Sequence, residues 1–199
     1  MSNNLINKDN LKKCNISSNF SQEIDLVLNG TYNSSNQVKA KDYTPKILVD
    51  NGVNDLPMLM TAKHIKSTIL TKEEAIKKGI INKKIHYHGL GKEILLEVID
   101  RLDNPLEIYK QSDNNYLIIT EMVDDDNKQI IVPLEINGKG TYNNVFIEEN
   151  QIKTVYGHKN LDGYLKYNDF EKIYKKNGTT LNEGVKSHDI SNSTDENIS

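Results

Sequence analysis

The sequence predicts an α+β domain in which N-terminal helices pack on an antiparallel β-sheet. Two apolar patterns in succession and one length predict the α+β class. Apolar positions recur at helical spacing between Leu59 and Leu102, then give way to short apolar runs separated by turn sequences between Leu106 and Gly157. The block that contains both patterns, roughly 130 residues, has an ordinary single-domain size. On either side the polarity rises. Residues 1–42 are rich in Asn and Ser, and their one apolar island, "IDLVLNG" (Ile24 to Gly30), is too short to build a core; they are expected to be a polar leader, partly disordered, with one short element. Residues 43–177 are the expected folded domain. Residues 178–199 combine low hydrophobicity with an acidic surplus, so burial cannot offset their ordering entropy, and they are expected to be a disordered tail.

Each element has its own signal. Asn54 or Asp55 can cap a helix whose first turn holds Pro57 and whose face carries Leu59, Ala62, Ile65 and Ile69, which puts Lys63 and His64 near its middle. Thr71 followed by Glu74 is a capping box for a short helix ended by Gly79. After "HYHGLG", Ile94, Leu95, Val98, Ile99 and Leu102 share the face of a longer helix, stopped by Asn104-Pro105. Five strands follow: "LEIYKQ" (Leu106 to Gln111), "YLIITEMV" (Tyr116 to Val123), "QIIVPLEIN" (Gln129 to Asn137), "YNNVFIE" (Tyr142 to Glu148) and "IKTVYG" (Ile152 to Gly157). The connectors "SDNN", "DDDNK", "GKG" and "ENQ" read as hairpin turns. The last amphipathic segment, "GYLKYNDFEKIYKK", closes the domain.

Composition excludes several classes. The net charge of −3 over 199 residues argues against a protein that grips long nucleic acid through an overall basic field, although it permits a local cationic cleft. A single cysteine, Cys14, provides neither an intrachain disulfide nor a thiolate zinc cluster, and suggests a reducing compartment. No apolar run is long enough to span a membrane and the first residues lack a signal-peptide core, so a cytoplasmic protein with no membrane partner is expected.

The blocks "TPKILVDNGVNDLPMLMTAKHI", "HGL" with its following helix, "NPLEIYKQS", "YLIITEMVDDDNKQIIVPLEI" and "VYGHKN" occur in an order and spacing that resemble the C-terminal domain of phage Mu protein F-like proteins. That domain belongs to the broad ribonuclease group that includes barnase, EndoU, colicin and RelE-type toxins. The resemblance runs from Tyr43 to Asn160. It implies a helix-plus-antiparallel-sheet domain with a metal-independent RNA-cleaving site on the sheet, delivered as a toxin or phage effector into a bacterial cell, in some cases inside a phage particle. It also implies host RNA or tRNA as substrate, an immunity or antitoxin protein as partner, and no cofactor. Members of the group differ widely in their catalytic residues.

Metal-independent RNA cleavage needs a base for the 2′-hydroxyl, an acid for the 5′-oxygen, and cations or hydroxyl donors for the phosphorane charge. The candidates are His64 and His88 for proton transfer, Thr154 and Tyr156 as hydroxyl donors, and Lys63, His158 and Lys159 for substrate binding. His88 precedes Gly89 at the entry to a helix, whose N-terminus favours a neutral imidazole. Thr154 and Tyr156 alternate along one expected strand and so face the same way. Each has a structural alternative: a surface or capping histidine, a core tyrosine, a strand-forming threonine, solvated loop residues. "DDDNK" lacks the spaced oxygen ligands of a calcium loop and "GLGKE" lacks a complete phosphate-loop motif, so no metal site is expected. Arg101 sits beside Asp100 and Asp103, where local ion pairing is the default reading. The alternative function is a catalytically inactive phage module that binds another protein, or a structural accessory of the particle.

Overall fold

A computed structural model describes residues 17–177. Its elements, in chain order, are α1 (Phe20–Leu28), β1 (Val38–Lys41), α2 (Lys46–Val49), β2 (Met58–Met60), α3 (Ala62–Ile69), α4 (Lys72–Lys77), α5 (Lys92–Arg101), β3 (Glu107–Lys110), β4 (Asn115–Val123), β5 (Gln129–Tyr142), β6 (Val145–Ile152), β7 (Tyr156–His158), α6 (Leu161–Tyr167) and β8 (Glu171–Lys175). The class is α+β. One open sheet of eight strands runs in the order β1-β2-β6-β5-β4-β3-β8, with β7 paired to β5. All pairs are antiparallel except β2 with β6.

The central strands alternate as their sequence requires. Ile118, Ile130, Val132 and Leu134 point into the main core, beneath Ile65 of α3 and Leu95, Val98 and Ile99 of α5. Leu117, Ile119 and Ile131 point to the opposite face, where Leu161 and Leu165 of α6 cover them. Helices therefore pack on both faces, the C-terminal α6 opposite the N-terminal α3 and α5.

Of the segment expected as a polar leader, the described residues, from 17 on, contribute to this core. Phe20, Ile24 and Val27 of α1, and Val38 and Ala40 of β1, are at most 1% exposed and belong to the main cluster. No break in the core falls at residue 43. The apolar island looked too short because its partners lie elsewhere in the chain, in β1 and α3. The expected tail, 178–199, lies outside the described residues.

The helix expected from Asp55 begins later. Met58–Met60 form β2, fully buried between β1 and β6, and Thr61 is the N-cap of α3. Three consecutive buried apolar residues fit a central strand as well as a helix face, and pairing on both sides decides for the strand. The capping box at Thr71 and Glu74 is present, and the α5 face is buried as its periodicity predicts.

Two expected turns are strand. Gly138 and Gly140 pair with Glu149 and Ile147 within the β5–β6 ladder, and the reversal falls at Asn143 and Asn144, both with positive φ. A Cβ on Gly140 would stand 1.7 Å from Gln37 Oε1 and 2.7 Å from Glu149 Oε1. That glycine serves close approach, not a turn. The "DDDNK" turn is real: Asp124 Oδ1 accepts the N–H groups of Asp126 and Lys128, which explains the carboxylate without a metal. Arg101 pairs with Glu97 and Glu121, while Asp103 accepts from the fully buried Lys41 Nζ at 3.0 Å.

Candidate functional site

Thr61 sets the site from the N-terminal end of α3. Its Oγ1 accepts the His64 N–H, so His64 stands in the first turn rather than mid-helix, and Ser67 follows three residues later on the same face. Across from them the chain between β6 and β7 carries Thr154. Ile152 pairs with Leu134 and Tyr156 with Ile131, so one strand gains a residue over its partner, as in a β-bulge. Val155 N–H donates to Thr68 Oγ1 at 2.9 Å, tying the bulge to α3. Thr154 is thus in an irregular segment, not on the same strand as Tyr156, and the bulge turns its hydroxyl to α3. Thr154 Oγ1 lies 2.8 Å from His64 Nδ1 and 2.9 Å from Ser67 Oγ.

His88 arrives by another route. The N–H groups of His88, Gly89, Leu90 and Gly91 donate to the carbonyls of Ser67, Leu70, Thr68 and Ile69, satisfying the C-terminal end of α3. Gly89 has φ +67, and a Cβ there would lie 2.8 Å from Thr71 Cγ2. This clasp lays the His88 ring on Tyr156, with centroids 5.0 Å apart and planes 20° from parallel. Before it, Asn82 Oδ1 accepts the Lys84 N–H, and the resulting turn brings Lys84, Ile85 and His86 to the rim.

His64, His88, Thr154 and Tyr156 all line one cleft of about 420 Å³, together with Lys63, Ser67 and Lys84. His158 and Lys159 do not. His158 packs on Tyr164 at 4.6 Å and leaves its buried Nδ1 without a hydrogen-bond partner; Lys159 is exposed in the following loop. Sequence reasoning missed Ser67 and Lys84. Ser67 was accessible to it, because its spacing from His64 puts both on one helix face; Lys84 depends on the loop path.

The electrostatics are those of an anion-seeking cleft. Lys63, Lys66 and Lys84 make no ion pair among the described residues, while Lys153 is paired with Glu135. Burial, then Lys153 and Lys63, pushes His64 down to about 4. His88 is also lowered, first by burial, then by His86 and Lys128, and α5 begins only at Lys92. Burial and the neighbouring Tyr164 push the Tyr156 phenol up, so it stays protonated. A larger concavity of about 680 Å³ lies between α2 and the end of α5, but its Asp50 and Asp103 are occupied by Lys46 and Lys41 and it holds no histidine. Among the described residues no group of three or more His, Cys, Asp or Glu side chains could hold a metal ion, and no helix is long and apolar enough to cross a membrane.

Fold and cleft define a small α+β domain with a cleft lined by three histidines, His64, His86 and His88, and rimmed by lysines. Residues 79–189, more than half of the chain, match the family model of the phage MuF C-terminal domain, and the chain belongs to that family. The match includes His88, Thr154 and Tyr156, and starts after His64 and Ser67. No curated protein and no solved structure matches.

Proposed function

We propose that the domain is a metal-independent endoribonuclease of phage or mobile-element origin, acting on RNA in the cytoplasm of a bacterial cell. The observation that supports this most is the His64–Thr154–Ser67 hydrogen-bonded group facing His88 in a cleft whose rim lysines have no carboxylate partners among the described residues.

In this reading neutral His64 donates Nδ1–H to Thr154 Oγ1, which leaves the Nε2 lone pair for substrate. Nε2 takes the proton of a ribose 2′-hydroxyl while the 2′-oxygen bonds to the adjacent phosphorus. Protonated His88 gives a proton to the 5′-oxygen as the P–O5′ bond breaks. The products are a 2′,3′-cyclic phosphate and a free 5′-hydroxyl. Lys63 and Lys84 balance the charge that builds on the non-bridging oxygens. Tyr156 supplies a stacking surface for His88 rather than a hydroxyl, because its phenol is engaged with Tyr164. An anionic phosphodiester in the cleft raises both histidine pKa values and so assists protonation of His88.

The test is incubation of the purified protein with a mixed single-stranded RNA pool in chelator, followed by end-group analysis. Cyclic phosphate ends that disappear in His64→Ala support the reading; intact RNA at all enzyme concentrations overturns it.

A second reading, a protein-binding module without activity, draws on Val145 and Phe146. They stand 59% and 68% exposed at the β5–β6 hairpin tip and do not line the cleft. Loss of partner capture in Phe146→Ser with wild-type RNA left uncut is the result that favours it.

A further inference from the structure

A second concavity adjoins the histidine cleft. It has a volume of about 560 Å³ and shares Lys63 and Ile85 with the cleft, so the two form one continuous path over the start of α3. Its walls mix apolar surface with polar groups from three separate parts of the chain: Ser34, Ser35 and Asn36 before β1, Lys63 and Lys66 on α3, and Asn82 with Tyr87 in the loop after α4. Each concavity falls in the range of roughly 300–1,000 Å³ that suits a nucleotide-sized ligand.

The groove is electropositive for a specific reason. Lys63 and Lys66 have no ion-pair partner among the described residues. Glu149, the carboxylate that accepts from Gln37 beneath the groove, is 1% exposed, and burial raises its pKa toward the neutral acid. The wall is also held in place rather than loose. Gln37 N–H donates to Thr141 O at 2.7 Å, Asn144 N–H donates to Asn36 Oδ1 at 3.1 Å, and Ser35 N–H donates to Asn33 Oδ1 at 3.1 Å. Tyr87 presents a half-buried ring whose hydroxyl donates to Ile80 O, leaving the aromatic plane as its contribution to the wall.

Resting on the ribonuclease reading of the adjacent cleft, we infer that this groove is a flanking subsite for single-stranded RNA, in which Lys66 binds a backbone phosphate next to the scissile one and Tyr87 with the Asn and Ser side chains receives an unpaired base. Lysine at a phosphate and an aromatic ring at a splayed base are the groups that single-strand recognition uses. The Ser34–Gln37 stretch, which sequence composition marks only as polar leader, becomes part of the substrate path. A substrate of two nucleotides fills the histidine cleft alone; a longer strand also fills the groove.

The experiment measures binding of non-cleavable 2′-O-methyl RNA of two and of six nucleotides by fluorescence anisotropy, with wild type, Lys66→Ala and Lys66→Arg, each checked by thermal melting. Lys66→Ala is expected to weaken the hexanucleotide at least about fivefold and to reduce its salt slope by about 0.7, the single-strand value for one phosphate contact. The dinucleotide is expected to bind all three proteins alike, and Lys66→Arg to restore hexanucleotide binding. Equal effects on both lengths, no effect on either, or no hexanucleotide binding by wild type overturns the subsite. Because the ligands cannot be cut, a protein that fails to cleave RNA but shows this length dependence refutes the catalytic reading and leaves the subsite standing.

Discussion

His64 Nδ1 and Thr154 Oγ1 lie 2.8 Å apart although ninety positions separate them in the chain. The hydroxyl at the other end of that bond also meets Ser67, so a first-turn helix residue and a β-bulge residue form one hydrogen-bonded unit. His64→Ala is expected to reduce RNA cleavage by about two to four orders of magnitude, the range for a positioned proton-transfer group. Thr154→Val keeps the volume and leaves His64 and Ser67 without their shared partner; a smaller loss is expected, with a stability cost of about 1–3 kcal/mol. Initial rates and denaturant melts of the two single variants and the double variant check this. Strictly multiplicative rate losses would show that the two residues act independently.

The two lowered histidines set a pH profile. In the proposed mechanism the free protein's base must be neutral, which holds above about 4 for His64, and its acid must be protonated, which requires a pH below the lowered His88 value and hence below 6.5. The expected kcat/KM therefore rises as pH falls from neutrality, passes through a maximum on the acid side of 6.5, and drops again near 4. A maximum above pH 7 contradicts the assignment of the two roles.

The same shift has a consequence for stability. His64 is lowered from 6.5 in the unfolded chain to about 4 in the folded one, so the unfolded state binds the extra proton between those values. Above pH 6.5 the residue contributes no pH dependence; as pH falls through the window from 6.5 to about 4, stability is lost. His64→Gln removes that contribution. Its melting temperature, subtracted from wild type at each pH, should change only inside the window, and a flat difference across it rejects the shift.

The N-terminal segment carries core packing. Ile24 is fully buried in the main cluster, so Ile24→Ala is expected to cost about 2–5 kcal/mol, measured by urea unfolding. A protein cut to begin at residue 43 loses Phe20, Ile24, Val27, Val38 and Ala40 from that cluster and is expected to lose cooperative unfolding. Unchanged melts in both would place the segment outside the cooperative unit.

Gly89 is the hinge on which His88 is presented. Gly89→Ala combines positive φ with a 2.8 Å approach to Thr71 Cγ2, and is expected to destabilise by about 1 kcal/mol or more and to lower cleavage by displacing His88. Gly79→Ala, also at positive φ but with nothing within 4 Å, serves as the comparison: a similar stability cost with cleavage retained separates backbone strain from placement of the histidine.

Periodicity and turn chemistry determined much of this protein by themselves. The face of α5, the Thr71–Glu74 box, the alternating apolar runs of β3 to β5 and the Asp124 turn are local preferences that the tertiary structure did not need to override. The four residues chosen for proton transfer and hydroxyl chemistry also meet in one cleft. Only the tertiary structure decided the rest, in each case because the deciding partner is distant in sequence. Met58–Met60 became a strand because β1 and β6 offered hydrogen bonds on both sides. Gly138 and Gly140 became strand because β6 pairs with them, and at Gly140 Gln37 and Glu149 occupy the space a Cβ would fill. Phe20, Ile24, Val27, Val38 and Ala40 became core because α3 and β2 bury their apolar face, a pairing no local window contains. Thr154 reached His64 through an extra residue in the ladder with β5, and one residue of register is what the sequence cannot specify without its opposing strand.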